Sequence, residues 1–251
     1  MRNEGRAQLG SVDRALQLVL LLRTGEVLSV SSAAARLQIA PSTAHRLLTA
    51  LVRRGFATQG ADRRYRAGPE TTSGVMPAVA LPRLKAAASP VMHDVSAQVQ
   101  ETVQLVVLDG QHVHYLHGVE PDRALKISAA IDQALPAHCS GGGKAMLADL
   151  SADDLDRVYA RDFPASVNPL ISTYEELAGH LVKVRTDGYG TTFDEHEDGI
   201  SGVGVAIRDS DGRSMGAITV AVPTTRFVEE AIPAWVRALR KASLEISARL
   251  E

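Results

Sequence analysis

The sequence predicts an α+β protein of two domains: an N-terminal winged helix-turn-helix over residues 1–68 and a larger domain with an antiparallel sheet over residues 89–251. A linker at residues 69–88 joins them. The first observation behind this prediction is a series of short amphipathic helices that ends in a hairpin. The second is a pair of turn signals, Asp109-Gly110 and residues 209–212, each lying between two apolar runs typical of strands.

The charge distribution divides the chain at the same place. Residues 1–68 carry 11 arginines and 4 acidic residues, a net charge of +7, whereas residues 69–251 carry 16 basic and 25 acidic residues, a net charge of −9. A basic first quarter on an acidic remainder indicates that only the N-terminal domain meets a polyanion such as DNA.

Two helices are predicted to open the N-terminal domain. Residues 12–23 form the first, whose apolar residues share one face: Val12, Leu16, Val19 and Leu20. Residues 29–40 form the second, which Ser31 or Ser32 can cap. The residues expected to face inward from the second helix are Ala35 and Leu37.

The third helix is predicted over residues 41–53, with Pro41 in its first turn and Ser42 or Thr43 near its cap. Its buried stripe follows helical spacing: Ala44, Leu47, Leu48 and Leu51. The outward residues are small, polar or cationic, as a helix in a DNA major groove requires: Ser42, Thr43, His45, Arg46 and Thr49. A solvated face without a ligand is the alternative, but the neighbouring helix, turn and hairpin favour DNA binding.

Residues 56–66 predict a β-hairpin, the wing, with its turn at residues 60–62. Arg63, Arg64 and Arg66 flank this turn. Arginines in a wing neutralise DNA phosphates, so Arg63 and Arg66 join the expected DNA-binding residues. Ordinary surface charge is the alternative interpretation of this group.

Prolines and glycines mark the linker. Gly68-Pro69 and Gly74 punctuate it, and Pro77 and Pro82 would interrupt a long helix there. The next helix is therefore predicted to begin at residues 89–90 and to end near Gln100.

Strands and helices alternate through the larger domain. Strands are predicted over residues 102–108, 112–119, 126–130, 202–208 and 214–222. Helices are predicted over residues 141–150, 174–186 and 228–250, the last with Val236, Leu239, Ile246 and Leu250 on one face. Strands joined by hairpins and flanked by helices predict an antiparallel sheet within an α+β domain.

Short motifs along the whole chain resemble those of the IclR-type bacterial transcriptional regulators. In the N-terminal domain they are SVDRAL at 11–16, PSTAHRLL at 41–48, LVRRGF at 51–56 and RYRAG at 64–68. In the larger domain they are ETVQL at 101–105, LPAH at 135–138, GKA at 143–145, GY at 188–189 and GISGV at 199–203. The resemblance implies a winged helix-turn-helix joined to a GAF-like effector-binding domain. It also implies operator DNA as a partner, a homodimer or tetramer, and a response to a small metabolite.

The effector site is expected at the glycine-rich turn before the helix at residues 141–150. Backbone N–H groups of Gly141 and Gly142 would hold the carboxylate of a small organic acid, with a simple tight turn as the alternative. The other expected contacts are hydroxyls and apolar walls: Ser140, Thr219, Leu125, Ile127, Leu135 and Ile200. The resemblance adds Gly202, where related proteins commonly have a cysteine or another pocket residue. Such an effector suggests control of a catabolic operon.

Two groups of histidines suggest chemistry that the spacing does not support. His112, His114 and His117 could bind a metal ion, but no Asp or Glu joins them at ligand spacing, so we interpret them as strand residues. His138 and Cys139 could form a base and a nucleophile. As neighbours on an extended segment they point to opposite faces, so this pair is not expected to react.

Two further motifs are also set aside. Residues 140–145 resemble a phosphate-binding loop, but His138 and Ala145 stand where such a loop needs a glycine and a hydroxyl residue. An acidic run next to His196 is interpreted as a solvated loop: Asp194, Glu195, Glu197 and Asp198.

Composition excludes several classes of protein. The single cysteine, Cys139, allows no intramolecular disulfide or cysteine-based zinc site, which favours the cytoplasm. No stretch reaches the roughly 18 apolar residues of a membrane span, and the first residues lack the apolar core of a signal peptide. We therefore expect a cytoplasmic DNA-binding regulator without catalytic residues, metal or cofactor. The alternatives are an enzyme that uses the C-terminal domain and a metabolite sensor that does not bind DNA.

Overall fold

The computed structural model describes residues 10–23, 26–60, 62–68, 71, 80–159, 163–165 and 170–250. They form two compact units, one ending at residue 71 and one beginning at residue 80. Pro69, Gly74 and Pro77, on which the linker prediction partly depends, lie outside the described residues.

The N-terminal unit is a winged helix-turn-helix, as predicted. Its elements are α1 (Ser11–Arg23), α2 (Val30–Leu37), α3 (Pro41–Arg53), β1 (Ala57–Gln59) and β2 (Tyr65–Ala67). The two strands pair antiparallel with Gln59 opposite Tyr65, so Gly60 and residues 62–64 lie at the tip of the wing. Backbone bonds in both directions between Leu28 and Tyr65 attach the segment before α2 to the wing.

The predicted face of α1 is not the buried one. Leu18 and Leu22 are fully buried, whereas Val12, Leu16 and Leu20 are 73, 57 and 50% exposed. Apolar residues occupy more than one side of α1, so periodicity alone does not select the side that packs. An exposed apolar stripe remains along the helix.

The second helix also differs in detail from its prediction. Ser29 is its N-cap, in place of Ser31 or Ser32, and Ser29 and Ser32 form a reciprocal capping box. Starting the helix at Val30 turns Ala33 and Ala34 inward and leaves Ala35 exposed and Leu37 half-buried.

The third helix is confirmed over residues 41–53. Ala44, Leu48 and Leu51 are buried and Leu47 is half-buried. The predicted cap is wrong, because Pro41 occupies the first helical position and makes Ala40, which has no capping side chain, the N-cap.

The second unit is built on a six-stranded antiparallel sheet. Its helices are α4 (Ala80–Val99), α5 (Gly141–Leu147), α6 (Ala152–Tyr159), α7 (Tyr174–Asp187) and α8 (Ile232–Leu250). Its strands are β3 (Thr102–Asp109), β4 (His112–Val119), β5 (Ala134–Pro136), β6 (Gly190–Phe193), β7 (Ile200–Arg208) and β8 (Ser214–Pro223). The strand order is β5-β4-β3-β8-β7-β6, and both predicted hairpins, β3–β4 and β7–β8, are present.

Helices cover both faces of this sheet. Val103, Leu105 and Val107 of β3 pack with α4 and α8 on one face. Val106 and Leu108 of the same strand point to the other face, where they pack with α5, α6 and α7. The alternation along β3 thus separates a structural layer from the layer that contains the candidate site.

Several predicted boundaries are wrong in this unit. The helix expected at residue 89 begins at Ala80, because Pro82 fits its first turn and Pro90 lies inside it without ending it. Residues 126–130 form no strand and instead lie as a loop over the sheet. The last helix begins at Ile232, after a 3₁₀ turn at Glu229–Ala231. Three elements, α6, β5 and β6, were not predicted from the sequence.

Candidate DNA-binding face and effector cavity

The outward face of α3 presents the residues predicted to contact DNA. Ser42, His45 and Arg46 are exposed, and Thr43 and Thr49 are half-buried on the flanks of the same face. The buried stripe of α3 holds the helix against the core of the unit, so these side chains project from a rigid element.

Two further arginines, which were not among the predicted DNA-binding residues, extend this face. Arg53 and Arg54 line a shallow concave surface with His45, Arg46 and Thr49. Arg53 follows Arg46 by seven residues, which is two helical turns and therefore the same side of α3. That spacing is a signal that the sequence already contained.

The arginines of the wing are not equivalent. Arg66 forms a bidentate ion pair with Asp62, with Nη2–Oδ2 at 2.7 Å and Nη1–Oδ1 at 3.1 Å. The Arg66 guanidinium lowers the pKa of the Asp62 carboxyl to about 2. Arg63 lies in the tip with a φ of 58°, and no ion pair of Arg63 or Arg64 occurs within the described residues. Arg63 and Arg64 therefore offer more unpaired charge than Arg66.

The second unit contains a cavity of about 500 Å³ on the α5 side of the sheet. Its walls come from β3, β7, β8, the loop at residues 125–130 and the segment at residues 196–201. Eight of the nine predicted effector residues line it: Leu125, Ile127, Leu135, Ser140, Gly141, Ile200, Gly202 and Thr219. The most buried lining residues form its deep end, and the exposed Leu125, His196 and Glu197 form its mouth.

Gly142 does not line the cavity, contrary to the prediction. A Cβ atom at this position would lie 2.6 Å from Thr219 Cγ2 and 2.9 Å from Val106 Cγ2. The glycine run lets α5 approach the sheet at backbone distance, since a Cβ on Gly204 of β7 would lie 2.2 Å from the Gly142 nitrogen. Its role here is close packing.

Ser140 is the N-cap of α5. Its Oγ accepts a hydrogen bond from the Gly143 N–H at 3.3 Å. Burial raises the pKa of the nearby Tyr115 phenol to about 12, although its interaction with Ser140 acts in the opposite direction, so this phenol stays protonated. Ser140 thus caps the Gly143 N–H at the start of α5.

A buried ion pair connects α5 to the segment at the cavity mouth. Lys144 Nζ lies 2.6 and 2.7 Å from the Glu195 carboxylate oxygens and 2.9 Å from the Thr191 carbonyl oxygen, and both side chains are buried. Burial lowers the pKa of Lys144, and the Glu195 charge acts in the opposite direction. The prediction of a solvated acidic run is therefore wrong for Glu195, because the fold turns it inward.

His138 and Cys139 point in different directions, but they lie on a 3₁₀ turn at Ala137–Cys139 and not on the extended segment that the sequence predicts. Cys139 lines the cavity, whereas the His138 ring packs 4.5 Å from the ring of Phe163. His138 is buried, no hydrogen bond reaches its ring from the described residues, and burial lowers its pKa to about 4. The sequence-adjacent pair therefore does not act as base and nucleophile.

The other histidines also have ordinary surroundings. His114 lies 3.4 Å from Asp109, and His117 Nε2 lies 3.1 Å from Ser89 Oγ. No group of three His, Cys, Asp or Glu residues suited to a metal ion occurs in the described part of the chain. Nor is any described helix long and apolar enough to cross a membrane.

Comparison with known proteins agrees with this architecture. Residues 11–61 match the family described as IclR helix-turn-helix domain, and residues 78–248 match the family described as Bacterial transcriptional regulator IclR C-terminal. The HTH-type transcriptional regulator Rv1719 of Mycobacterium tuberculosis is 31% identical over 237 residues, which cover 90% of this chain and 89% of the relative.

Solved structures show the same fold. IclR of Thermotoga maritima matches with a TM-score of 0.64 at 24% identity, covering 96% of this chain and 98% of the other. An IclR homologue from Microbacterium hydrocarbonoxydans, solved in complex with 4-hydroxybenzoate, matches with a TM-score of 0.60 at 27% identity, covering 96% and 99%. With an N-terminal winged helix-turn-helix and a C-terminal effector domain, the chain belongs to the IclR family of bacterial DNA-binding transcriptional regulators, which are not enzymes.

Proposed function

We propose that this regulator controls a catabolic operon in response to a small organic acid and acts in the cytoplasm. In this proposal α3 enters the major groove of operator DNA, and the wing contacts the phosphate backbone. The acid binds in the cavity of the second unit and changes the affinity for DNA.

The observation that carries the DNA-binding part is the outward face of α3. Arg46 and Arg53 lie on one side of a helix whose opposite side is buried. Arginine forms bidentate bonds with guanine, and Ser42, Thr43, His45 and Thr49 reach neighbouring bases or phosphates. Arg63 adds a phosphate contact from the wing, and Arg66 adds a weaker one while it is paired with Asp62.

A homodimer is the assembly we propose, with a tetramer formed by pairing of dimers. Two copies would place two α3 helices on successive major grooves of a palindromic or pseudo-palindromic site. The exposed stripe of Val12, Leu16 and Leu20 on α1 supports this proposal, because a contiguous apolar face on a small unit marks an interaction surface.

The cavity supports the effector part. Its volume of about 500 Å³ suits a small organic molecule, since ligand sites commonly enclose roughly 300–1,000 Å³. Leu125, Ile127, Leu135 and Ile200 provide apolar walls, and polar groups lie at the deep end. The Microbacterium homologue was crystallised with an aromatic hydroxy acid, which supports an organic acid as the ligand class.

The first experiment measures binding of the full chain to labelled DNA from the region upstream of its own gene. We expect a complex that resists competitor DNA and that small organic acids shift. A complex that competitor DNA abolishes would favour the alternative, a metabolite sensor that does not recognise an operator. The net charge of +7 on residues 1–68 argues against that alternative.

A further inference from the structure

A loop without regular secondary structure covers one side of the cavity mouth. This loop, residues 121–130, is here called the strap and belongs entirely to the described part of the chain. Every residue from Leu125 to Ala130 lines the cavity, yet Pro121 alone among the strap residues is buried. A segment that buries so little of its surface opens at a lower free energy than the sheet over which it lies.

Hydrogen bonds at its two ends hold the strap together as a unit. Glu120, which precedes it, accepts a hydrogen bond from the Ala129 N–H at 3.0 Å and lies 3.2 Å from Lys126 Nζ. Lys126 also donates to the Pro121 carbonyl at 3.2 Å. Because these contacts join parts of the same loop, they let the strap move as one piece and do not attach it to the sheet.

One buried carboxylate attaches the strap to the rest of the unit. Glu101, directly before β3, is 3% exposed, and its two oxygens accept hydrogen bonds from Arg226 Nε at 2.8 Å and Nη2 at 2.7 Å. Arg226 Nη2 also donates to the Leu125 carbonyl at 3.2 Å. Arg123 of the strap lies 3.4 Å from the same carboxylate. Glu101 thus holds two arginines, one bonded to the strap and one belonging to it.

Two neutral contacts define the closed position of the strap. Thr102 Oγ1 donates a hydrogen bond to the Ile127 carbonyl. A Cβ atom on Gly118 of β4 would lie 2.3 Å from the Ala129 Cβ, so the strap packs directly on this strand. Hydrogen bonds between charged groups are stronger than neutral ones, so we expect the Glu101 contacts to contribute most to holding the strap.

The opposite side of the mouth is more firmly fixed. Asp194 accepts hydrogen bonds from the Gly199 N–H at 2.9 Å and from the Thr224 hydroxyl, and Glu195 is buried against Lys144. This segment also connects two strands, β6 and β7, that pair with each other. The cavity should therefore open at the strap.

From these contacts we infer that the strap is a gate over the cavity and that the ion pair of Glu101 with Arg226 is the latch that keeps it closed. The same Arg226 nitrogen bonds to Glu101 and to the Leu125 carbonyl, so release of this guanidinium frees the strap as well. Neither latch residue lines the cavity, so the latch controls access and not the choice of ligand. The inference therefore goes beyond the proposed function and holds for any class of ligand.

Cys139 provides a probe of the gate that needs no ligand. It is the single cysteine of the chain, lines the cavity and is 2% exposed. The neutral disulfide dithiodipyridine reacts with a thiolate and releases a coloured thiopyridone. If Cys139 reacts only while the gate is open, its rate of modification is proportional to the fraction of open molecules.

The experiment compares this rate in the full-length wild type and in two latch variants. Arg226→Gln and Glu101→Gln should each raise the rate by about ten-fold or more, because each removes a bidentate charge-assisted pair. Arg208→Gln is the matched control. It breaks a pair of similar geometry with Asp149, at 2.7 and 2.8 Å, at the end of β7 that does not line the cavity, and should react at the wild-type rate.

Measurements at low urea concentrations separate opening of the gate from unfolding of the unit. Opening of the strap exposes little surface, so the rate should hardly change with urea below the unfolding transition, whereas modification through unfolding rises steeply. If Arg226→Gln does not fold, because it leaves Glu101 charged in a buried position, Glu101→Gln decides.

Two results would overturn the inference. Equal rates in the wild type and the latch variants show that the reagent reaches Cys139 without movement of the strap. A faster rate that rises steeply with urea, or that Arg208→Gln shares, means that the ion pair only stabilises the unit. Since neither result depends on an organic acid, failure of the gate leaves the proposed function standing, and failure to find an acid leaves the gate to be judged by these rates.

Discussion

In the N-terminal unit the ionisable groups lie on the outside: His45, Arg46, Arg63 and Arg64 are all exposed. In the second unit ionisable side chains also lie inside: Lys144, Glu195, His138 and Glu101 are only 1–3% exposed. A surface that binds a polyanion carries solvent-exposed charged side chains, and each such side chain contributes little to folding stability. A cavity that selects one small molecule needs polar groups fixed in a dry interior, where each is costly to leave unpaired. Substitutions should therefore affect binding in the first unit and folding in the second.

Breaking the buried ion pair should have the largest effect. Lys144→Met leaves Glu195 buried without its partner, and we expect the second unit to lose about 3–5 kcal/mol of unfolding free energy. Adding Glu195→Leu should restore much of that loss, because it removes the orphaned charge. Urea unfolding measures both. Lys183→Met, which breaks the exposed pair with Asp187, is the control and should leave the urea midpoint close to that of the wild type, because water screens exposed pairs.

Gly142→Leu should destabilise the second unit by about 3 kcal/mol or more, since the new side chain meets Thr219 and Val106 at impossible distances. This is packing damage, because Gly142 lies against the sheet and does not line the cavity. Gly179→Ala, on α7 with open space around it, should be neutral or stabilising. A stable Gly142→Leu protein that has lost ligand binding would contradict the structural role of this glycine.

The buried His138 should make the second unit sensitive to acid. Its pKa in the folded state is lowered to about 4 from an ordinary value of 6.5, because burial disfavours the charged ring. The unfolded chain therefore takes up the proton first, and stability should fall by up to about 3 kcal/mol as pH drops from about 6.5 towards 4. Comparing urea midpoints at these pH values, His138→Leu should show a smaller drop than the wild type. His93→Gln, exposed on α4, should retain the full drop.

The wing should show the smallest effects, and they should concern DNA binding alone. Arg63→Ala and Arg64→Ala should each reduce the salt slope of DNA binding by about 1, the value for one lost phosphate contact. Arg66→Ala should reduce it by less, because Asp62 already neutralises Arg66. Asp62→Asn should increase the slope by freeing that guanidinium. A salt titration that ranks Arg66 above Arg63 and Arg64 would show that DNA displaces Asp62 on binding.

The same contrast explains what the sequence could predict. On α3 the helical periodicity of apolar residues places Leu48 inside and Arg46 outside. Both the helix and its exposed residues can therefore be predicted from the local sequence. On α1 the apolar pattern fits more than one face, and Leu18 and Leu22 are buried in the core while Leu16 and Leu20 are exposed. The predicted start of α4 is wrong because the prediction places Pro90 in the first turn of the helix. Pro90 lies inside α4, which packs along its whole length against the sheet.

Most residues that line the cavity were predicted from the sequence, but the buried polar groups in and beside it were not. The family resemblance identifies Gly202, and Ser140 and Thr219 are expected as hydroxyl contacts; all three line the cavity. Nothing local marks Glu195 as different from Glu197, because its partner Lys144 is 51 residues away in the chain. In the sequence Gln104 is one polar residue in an apolar strand. Its pairing with Thr219 on one side and Gly118 on the other places it at the cavity. Such residues depend on tertiary pairing, which a single sequence does not contain.

The most direct test of the DNA-binding account is the affinity of Arg46→Ala for labelled upstream DNA, measured by fluorescence anisotropy beside the wild type and Arg36→Ala. Arg36 lies on α2 and is paired with Glu26, so its substitution controls for loss of positive charge from the unit. We predict that Arg46→Ala weakens DNA binding by about 1–3 kcal/mol and relaxes the base preference at one position of each half-site. The melting temperature of Arg46→Ala should equal that of the wild type. The DNA affinity of Arg36→Ala should also equal that of the wild type. Equal affinity of Arg46→Ala and the wild type would contradict the assignment of α3 as the helix that contacts the bases.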